Sequence, residues 1–422
     1  MLDLRFIREH PELVRNAIEV KGAKVDLNGL LELDKRRREI IKKADRLKGK
    51  RNRVSEKIGR LKKEEKDGSA AIAEMRKVSR EIKELDEEIH RIEAQIWEIQ
   101  ICIPNVPHPS VPVGPDSSYN KMVREWGSIP RFDFDVKPHW EIGPALNILD
   151  FERGSRLSGS HFVSFTGIGA QLERALINFM IDLHVQEHGY TEVSVPFVVK
   201  RDMMFGTGQL PKLEEDMYLV EKDDLFLIPT AEVPVTNLHR EEILNGEDLP
   251  ISYTSYTPCF RREAGSYGAE TRGLVRIHQF DKVEMVKFVK PENSYDELET
   301  LLGNAERVLQ LLEIPYRVAI LATGDLSFAA AKCYDIEAYA PGIDKWLEVS
   351  SCSNFEDFQA RRMNIRFRRE KGAKTEYVHT LNGSGLALPR TVIAIIENYQ
   401  TDEGTLIVPE VLRKYLGMRV IT

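Results

Sequence analysis

The chain has 422 residues, 42% of them hydrophobic, with 60 Lys and Arg against 67 Asp and Glu, for a formal net charge of −7. That length supports more than one core, the net charge does not by itself point to nucleic acid, and no apolar run approaches the roughly 20 residues a bilayer span needs. The four cysteines (Cys102, Cys259, Cys333 and Cys352) form no CxxC pair, which argues against structural zinc and a disulfide framework and fits a reducing compartment.

In chain order, the N-terminal MLDLRFIREHPELV is charged and periodic, unlike a signal peptide, so a cytoplasmic location with no membrane partner is expected. Charge is then spread unevenly. Residues 35–63 hold 15 Lys/Arg and 3 Asp/Glu, a net of +12, which leaves −19 for the rest. Leu33, Ile40, Leu47, Val54 and Leu61 recur every seven residues, and Leu30, Ala44 and Ile58 form a second seam interrupted by Arg37 and Arg51. This predicts a long amphipathic helix. Met75, Ile82, Ile89 and Ile96, with Val78, Leu85, Ile92 and Ile99, predict a second helix, and residues 64–70 between them have turn composition. The two should fold back as an antiparallel coiled-coil arm over about 27–101, on the order of 50 Å long. Such an arm serves dimerisation or spacing, or it grips a polyanion; the lopsided charge favours the second use.

Five prolines between 104 and 115 end the arm and start a linker. The expected organisation is an N-terminal domain over 1–103, a linker over 104–115 and a second domain over 116–422. In the second domain, helical patterns cover 170–187, 295–312 and 391–399. Strand patterns cover 192–199, 225–228, 274–288, 316–321, 333–340 and 346–354. Helices scattered among hairpin-like strands predict an α+β domain on a mainly antiparallel sheet.

Two stretches carry chemistry. CFRREAGSYGAETRGLVRIHQFDKVEMV, residues 259–286, predicts a strand, a glycine-bearing loop and a returning strand. Arg261 and Arg272 beside that loop suit phosphate oxygens, and Phe280 offers an apolar face to a flat ring. On an ordinary hairpin the same arginines form surface ion pairs, and Glu284 pairs with Lys282 or Lys287. NGSGLALPRTVIAIIENYQ, residues 382–400, places Gly383, Ser384 and Gly385 before an apolar helix with Arg390 near its start. This is either a helix N-terminus facing an anion or a glycine turn capping a core helix. His184 and His188 have an i, i+4 spacing but no third ligand, and His278 reads as structural.

Several strings taken together resemble one family. They are MLDLRFIREHPELV with the basic arm, ALINFMIDLHVQEHGYTEVSVPFVV with Pro196, LIPTAEVP (227–234), FRREAGSYGAETRGLVRIHQF, LEVSSCSN (347–354) and GSGLALPRTVIAIIENYQ. Over nearly its whole length the chain resembles the class II aminoacyl-tRNA synthetases, in particular the bacterial-type seryl-tRNA synthetases. Pro389 stands where many members have glycine. The phosphate-loop pattern GxxxxGK[ST] and the HIGH and KMSKS strings of the other synthetase class are absent.

The resemblance implies a C-terminal class II synthetase domain whose sheet is flanked by helices, a homodimer, and ATP-dependent attachment of L-serine to tRNA(Ser) through a seryl-adenylate. It adds tRNA(Sec) as a candidate second substrate. It also implies residue roles. Arg261 contacts the α-phosphate and the serine carboxylate, Arg390 the γ-phosphate end, and Phe280, Ile277 and Glu263 the adenine. Arg262, Val349 and Ser350 complete the ATP contacts. Glu348 and Ser351 hold Mg²⁺. Thr230, Ala231 and Glu232 receive the serine amino group, while Glu284 and Ser384 complete the serine site, with Glu284 at the hydroxyl. The catalytic set is then Arg261, Arg390 and Glu348. Two other readings remain open on the sequence: a synthetase-like ligase that charges a carrier protein, against which the arm argues, and a non-catalytic RNA-binding scaffold, against which Arg261, Glu284, Glu348 and Arg390 argue.

Overall fold

The structure is a computed structural model and describes residues 1–263 and 272–422. The tip of the expected hairpin, residues 264–271, lies outside the described residues. Two compact units emerge: Leu2–Pro104, and Asn105–Thr422 together with Met1.

The first unit begins with two short helices, α1 (Leu4–Glu9) and α2 (Pro11–Val20), followed by the long pair α3 (Leu27–Lys63) and α4 (Ser69–Gln100). Asp26 caps α3, its carboxylate accepting from the Gly29 N–H, the usual service to an unpaired first-turn donor. The heptad seams face inward: Leu30, Ala44, Val54 and Ile58 of α3 are buried, as are Val78, Ile82, Leu85, Ile92 and Ile96 of α4. The mildly acidic second helix answers part of the first helix's charge. Arg36 pairs with Glu88, Lys43 with Glu81, Lys48 with Asp86 and Lys50 with Glu74, at 2.5–3.1 Å. Such exposed pairs each contribute at most about 1 kcal/mol; the order of Arg36–Glu88, Lys43–Glu81 and Lys50–Glu74 along the chains shows the helices running antiparallel. At the root of the arm the buried Asp34 carboxylate is held by Arg8, Arg37 and Arg38. Lys35, Lys42, Arg46, Arg53, Lys57 and Arg60 are exposed and form no ion pair among the described residues. At about 100° per residue they fall within about 60° of one another, opposite the seams.

The second unit is built on an eight-stranded sheet. Its strands are β1 (Lys121–Trp126), β2 (Thr191–Glu192), β3 (Ile251–Phe260), β4 (Gln279–Val289), β5 (Tyr316–Ile320), β6 (Lys332–Ala340), β7 (Lys345–Asn354) and β8 (His379–Ala387). They lie in the order β1-β5-β6-β7-β8-β4-β3-β2. Every neighbouring pair is antiparallel except β2 on β3. Helices α5 (Ile168–Gln186), α6 (Ser294–Leu311) and α7 (Leu388–Asn398) pack on the sheet. Leu172, Leu176 and Met180 of α5, Leu298, Leu301 and Leu309 of α6, and Val392 and Ile393 of α7 join Val283 and Met285 of β4 in one core. No helix among the described residues is long and apolar enough to cross a membrane.

Three expectations change. The strand expected over 192–199 is two pieces, because Pro196 cannot donate to a ladder: β2 joins the main sheet, while Val198–Lys200 pairs with Leu225–Leu227 in a separate small sheet. The strand expected from 274 starts at Gln279, after a turn in which Gly273 takes φ +71°. Gly383, Ser384 and Gly385 form neither a turn nor a helix cap; they lie within β8. A Cβ on Gly383 would fall 2.4 Å from Leu301 of α6, and one on Gly385 2.4 Å from His184 of α5. These glycines admit two helices against one face of the sheet, while the other face is covered in part by the cluster of Ala231, Val235, Ala360 and Met363 on Val286 and Phe288.

Candidate active site

A cavity of about 530 Å³ opens on the face away from those helices. Its floor comes from strand alternation corrected by two bulges. On β4, Phe280, Lys282 and Glu284 share one face, as a period of two requires, and all three line the cavity. On β7, Glu348 and Ser351 are three residues apart and would normally point to opposite faces. Here Ile336 pairs with Ser350 while the next residue, Glu337, pairs with Glu348, so Val349 is an extra residue. The bulge re-aims the strand and brings Glu348, Val349 and Ser351 to the same cavity. A second bulge separates the partners of Lys282 and Glu284 on β8, which are Ala387 and Ser384. Asn382, Ser384 and Ala387 thereby all face the cavity.

Two arginines of the cavity are held in place by backbone carbonyls. Arg261, just past β3, donates from Nε to the Pro229 carbonyl at 3.3 Å, and its guanidinium lies 5.2 Å from the Phe280 ring centroid. Arg390 sits in the first turn of α7. Its Nη1 donates to the Glu348 carbonyl at 2.8 Å and to the Glu348 carboxylate at 3.2 Å, and its Nε to the Val275 carbonyl at 3.2 Å. Pro389 occupies the first helical turn, where a backbone N–H has no intrahelical partner to lose. Glu263 takes a left-handed φ of +50° and pairs with Arg276 at 3.0 Å; both line the cavity, with Ile277 between them and the floor.

Beside Glu348 lies Asp335, whose carboxyl is pushed well above the usual range, first by burial and then by the Glu348 carboxylate. Ser351 Oγ is 3.1 Å from Cys333 Sγ. Glu348 and Ser351 offer hard oxygen donors in a region where negative charge is already crowded. That donor set fits Mg²⁺, which takes few protein ligands and completes its shell with phosphate and water.

The cavity also carries a buried acceptor surface. Thr230 and Glu232 lie at and before the short helix Glu232–Thr236. Glu232 accepts from Gln359 Nε2 at 2.7 Å, and its carboxyl is raised to about 7, first by burial and then by Glu284. Lys282 Nζ lies 2.7 Å from Thr230 Oγ1 and 2.7 Å from Glu284 Oε2. Asn382 Nδ2 donates to the other Glu284 oxygen at 3.0 Å. Lys287, the other candidate partner of Glu284, pairs instead with Glu297.

Twelve of the fifteen residues to which the resemblance gives a role line this one cavity: Thr230, Glu232, Arg261, Glu263, Ile277, Phe280, Glu284, Glu348, Val349, Ser351, Ser384 and Arg390, whereas Arg272, the other arginine expected to meet phosphate, lies in a separate hollow 4.7 Å from the Trp140 ring centroid. Three of the fifteen do not. Ala231 is fully buried in an apolar cluster. Ser350 points behind the floor, its hydroxyl donating to the Ser384 carbonyl at 2.6 Å. Arg262 turns outward to a separate hollow with Tyr218 and His278. Sequence reasoning missed Asn382 and Gln359 and gave Lys282 no place at the site. Asn382 and Lys282 each stand two residues before a chosen strand residue, which is the signal that would have found them. His184 and His188 approach Nδ1 to Nδ1 at 3.0 Å while His184 Nε2 reaches the Gly385 carbonyl. With Nε2 donating, His184 Nδ1 accepts, and the pair braces α5 on β8.

Comparison with known proteins follows the same division. Residues 1–107 match the model of the seryl-tRNA synthetase N-terminal domain, and residues 217–399 match the class II core domain of the synthetases for G, H, P, S and T. The serine–tRNA ligase of Caldanaerobacter subterraneus subsp. tengcongensis is 58% identical over 421 residues, covering 100% of this chain and 99% of the relative. The seryl-tRNA synthetase of Pyrococcus horikoshii, solved in complex with ATP, superposes with a TM-score of 0.95 at 39% identity, covering 100% and 99% of the two chains. The cytoplasmic enzyme of Naegleria fowleri in complex with AMP gives 0.89 at 32%, with the same coverage.

Proposed function

This chain belongs to the seryl-tRNA synthetase family, and we propose that the cavity described above is where it joins serine to ATP and then to tRNA. The protein is a serine–tRNA ligase, a class II aminoacyl-tRNA synthetase. The observation that carries the site assignment is that a single cavity holds Arg261 and Arg390 together with a buried set of oxygen acceptors. A zwitterionic amino acid with a hydroxyl and a polyphosphate need that combination.

In the first step a serine carboxylate oxygen attacks the α-phosphorus of ATP and pyrophosphate leaves. Both reactants are anionic there, so fixed cations lower the barrier. Arg261 faces the α-phosphate and the serine carboxylate; Arg390 faces the leaving end. Phe280 stacks on adenine, the Ile277 backbone touches the base, and Glu263 accepts from its amino group. Glu348 and Ser351 would hold Mg²⁺, which when bound neutralises and orients the phosphate chain. Thr230 and Glu232 receive the ammonium, and Glu284 accepts from the serine hydroxyl. In the second step the terminal ribose hydroxyl of tRNA attacks the adenylate carbonyl and AMP leaves. The cation stripe on α3 supplies the grip on tRNA(Ser). A homodimer in the cytoplasm, and tRNA(Sec) as a second substrate, extend the same reading.

The test is discrimination. A pocket that hydrogen-bonds a substrate hydroxyl rejects the analogue lacking it by about 10⁴. Glu284→Ala should raise the serine KM in ATP–pyrophosphate exchange and shrink the serine-to-alanine gap. Unchanged serine kinetics would remove Glu284 from the pocket.

Glu232 adds a pH dependence. Its carboxyl, raised to about 7, must be ionised to receive an ammonium. Serine binding is therefore strongest above about pH 7 and weakens as pH falls through it, by up to about tenfold per unit for one proton. The serine KM measured from pH 5.5 to 8 should show this rise, and Glu232→Gln should flatten it.

A further inference from the structure

Lys282 is 5% exposed, set in β4 between Phe280 and Glu284, the residues assigned to the base and the serine hydroxyl. The two reaction steps leave it without a role, because the phosphates and the serine carboxylate are met by Arg261 and Arg390. Its ammonium lies 2.7 Å from both Thr230 Oγ1 and Glu284 Oε2. Thr230 Oγ1 also accepts from the Glu232 N–H at 3.3 Å, so the hydroxyl is held from two sides. Glu284 has one oxygen in an ion pair with Lys282, without hydrogen-bond geometry, and the other accepting from Asn382. Neither group can turn without breaking a buried polar contact, which water is not there to replace.

We propose that Lys282 is a specificity-determining positioning residue: from inside the pocket wall it clamps the Thr230 hydroxyl and the Glu284 carboxylate into the one arrangement that fits serine. This rests on the reading of Thr230, Glu232 and Glu284 as the serine-facing groups. Charge supports it independently. Two buried carboxylates, Glu232 and Glu284, lie on this acceptor surface. Lys282 balances one, and the substrate ammonium balances the other, while Arg261 is taken by the substrate carboxylate. The groups facing Glu232 are Glu284 and Lys282 from β4, Arg261 beyond β3, and the uncharged Gln359 from the helix Phe358–Met363. Lys282 is thus one of the two cations that hold the Glu232 carboxyl down against burial and Glu284.

The experiment uses the full-length protein with Lys282→Met, similar in length and uncharged, read by serine- and alanine-dependent ATP–pyrophosphate exchange between pH 5.5 and 8.5. We expect the serine-over-alanine ratio of kcat/KM to fall at least tenfold, the ATP KM to stay within about twofold, and the pH midpoint of the serine KM to move above 7. A folded variant that keeps both the ratio and the midpoint overturns the proposal and leaves Lys282 a structural residue. An unpaired buried carboxylate can prevent folding of the single variant, so Lys282→Met with Glu284→Gln is made alongside, since removing both charges relieves that cost. This double variant should discriminate no worse than Glu284→Gln alone, because the lysine acts through the glutamate. A further full loss beyond Glu284→Gln overturns the clamp. If Glu284→Ala by itself leaves the serine-to-alanine ratio untouched, the serine-site reading fails first, and the proposal falls with it.

Discussion

Arg261→Ala should depress ATP–pyrophosphate exchange about a hundredfold, and Arg390→Ala by a similar factor, with different kinetic signatures. Losing one preorganised stabiliser of developing charge typically costs on the order of 3 kcal/mol. Arg261 makes one hydrogen bond to the Pro229 carbonyl and rests against Phe280, and it forms no ion pair among the described residues. Its remaining donors are available to two substrates at once. Arg261→Ala should therefore raise the serine KM as well as lower kcat. Arg390 is tied to the Glu348 carbonyl and carboxylate and to the Val275 carbonyl. Its loss also frees Glu348, so Arg390→Ala should lower kcat and raise the Mg²⁺ requirement while the serine KM stays put. Arg390→Lys should rescue little, because a point ammonium cannot span those three oxygens as a planar fork does. Near-normal exchange in both alanine variants would remove these residues from the reacting centre.

What the sequence made legible, and what it hid, follows from how local each signal is. The seams of α3 and α4 repeat over sixteen positions, and a register error would turn a whole seam outward, so the helices appear where the pattern places them. Three sheet strands, β5, β6 and β7, were likewise readable to within a residue or two, because residues such as Val318 and Ile336 are buried core while their neighbours alternate. Pairing partners are not local, and there the reading failed. Glu348 and Ser351 share a cavity only because Val349 bulges against β6, and nothing in LEVSSCSN announces a bulge. Gly383 and Gly385 look like a turn because glycine commonly marks one; here the absent Cβ makes room for Leu301 and His184, which are 82 and 201 residues away. Lys282 looked like a surface partner for Glu284, since lysine on a strand is usually solvated. Only the folded chain shows it buried under the pocket. Family resemblance supplied roles that periodicity does not contain. It also placed Arg262, Ala231 and Ser350 within contiguous runs, and the strand pleat and the turn after β3 send these three away from the cavity.

Shortening the arm should separate the two steps of the reaction. Replacing residues 42–85 by a short Gly/Ser connector cuts α3 and α4 at about the same level, judged from the Arg36–Glu88 and Lys43–Glu81 pairs. It preserves the buried Asp34 with Arg8, Arg37 and Arg38 at the root. It removes Lys42, Arg46, Arg53, Lys57 and Arg60, five of the six exposed cations on the stripe. Adenylate formation should survive within a few-fold, since the residues assigned to ATP and serine all lie from Thr230 onward in the other unit. Charging of tRNA should fall by orders of magnitude. Each phosphate neutralised contributes roughly −0.7 to −0.9 to the log–log salt slope of binding, so the intact protein should bind tRNA with a slope of several units and the shortened one with a much flatter slope. Nitrocellulose-filter binding across a salt series measures both. Normal charging with an unchanged slope would make the arm a spacer. Collapse of adenylate formation in a protein that still folds would instead mean that the catalytic unit depends on the arm, because none of the atoms assigned to serine or ATP would have been touched.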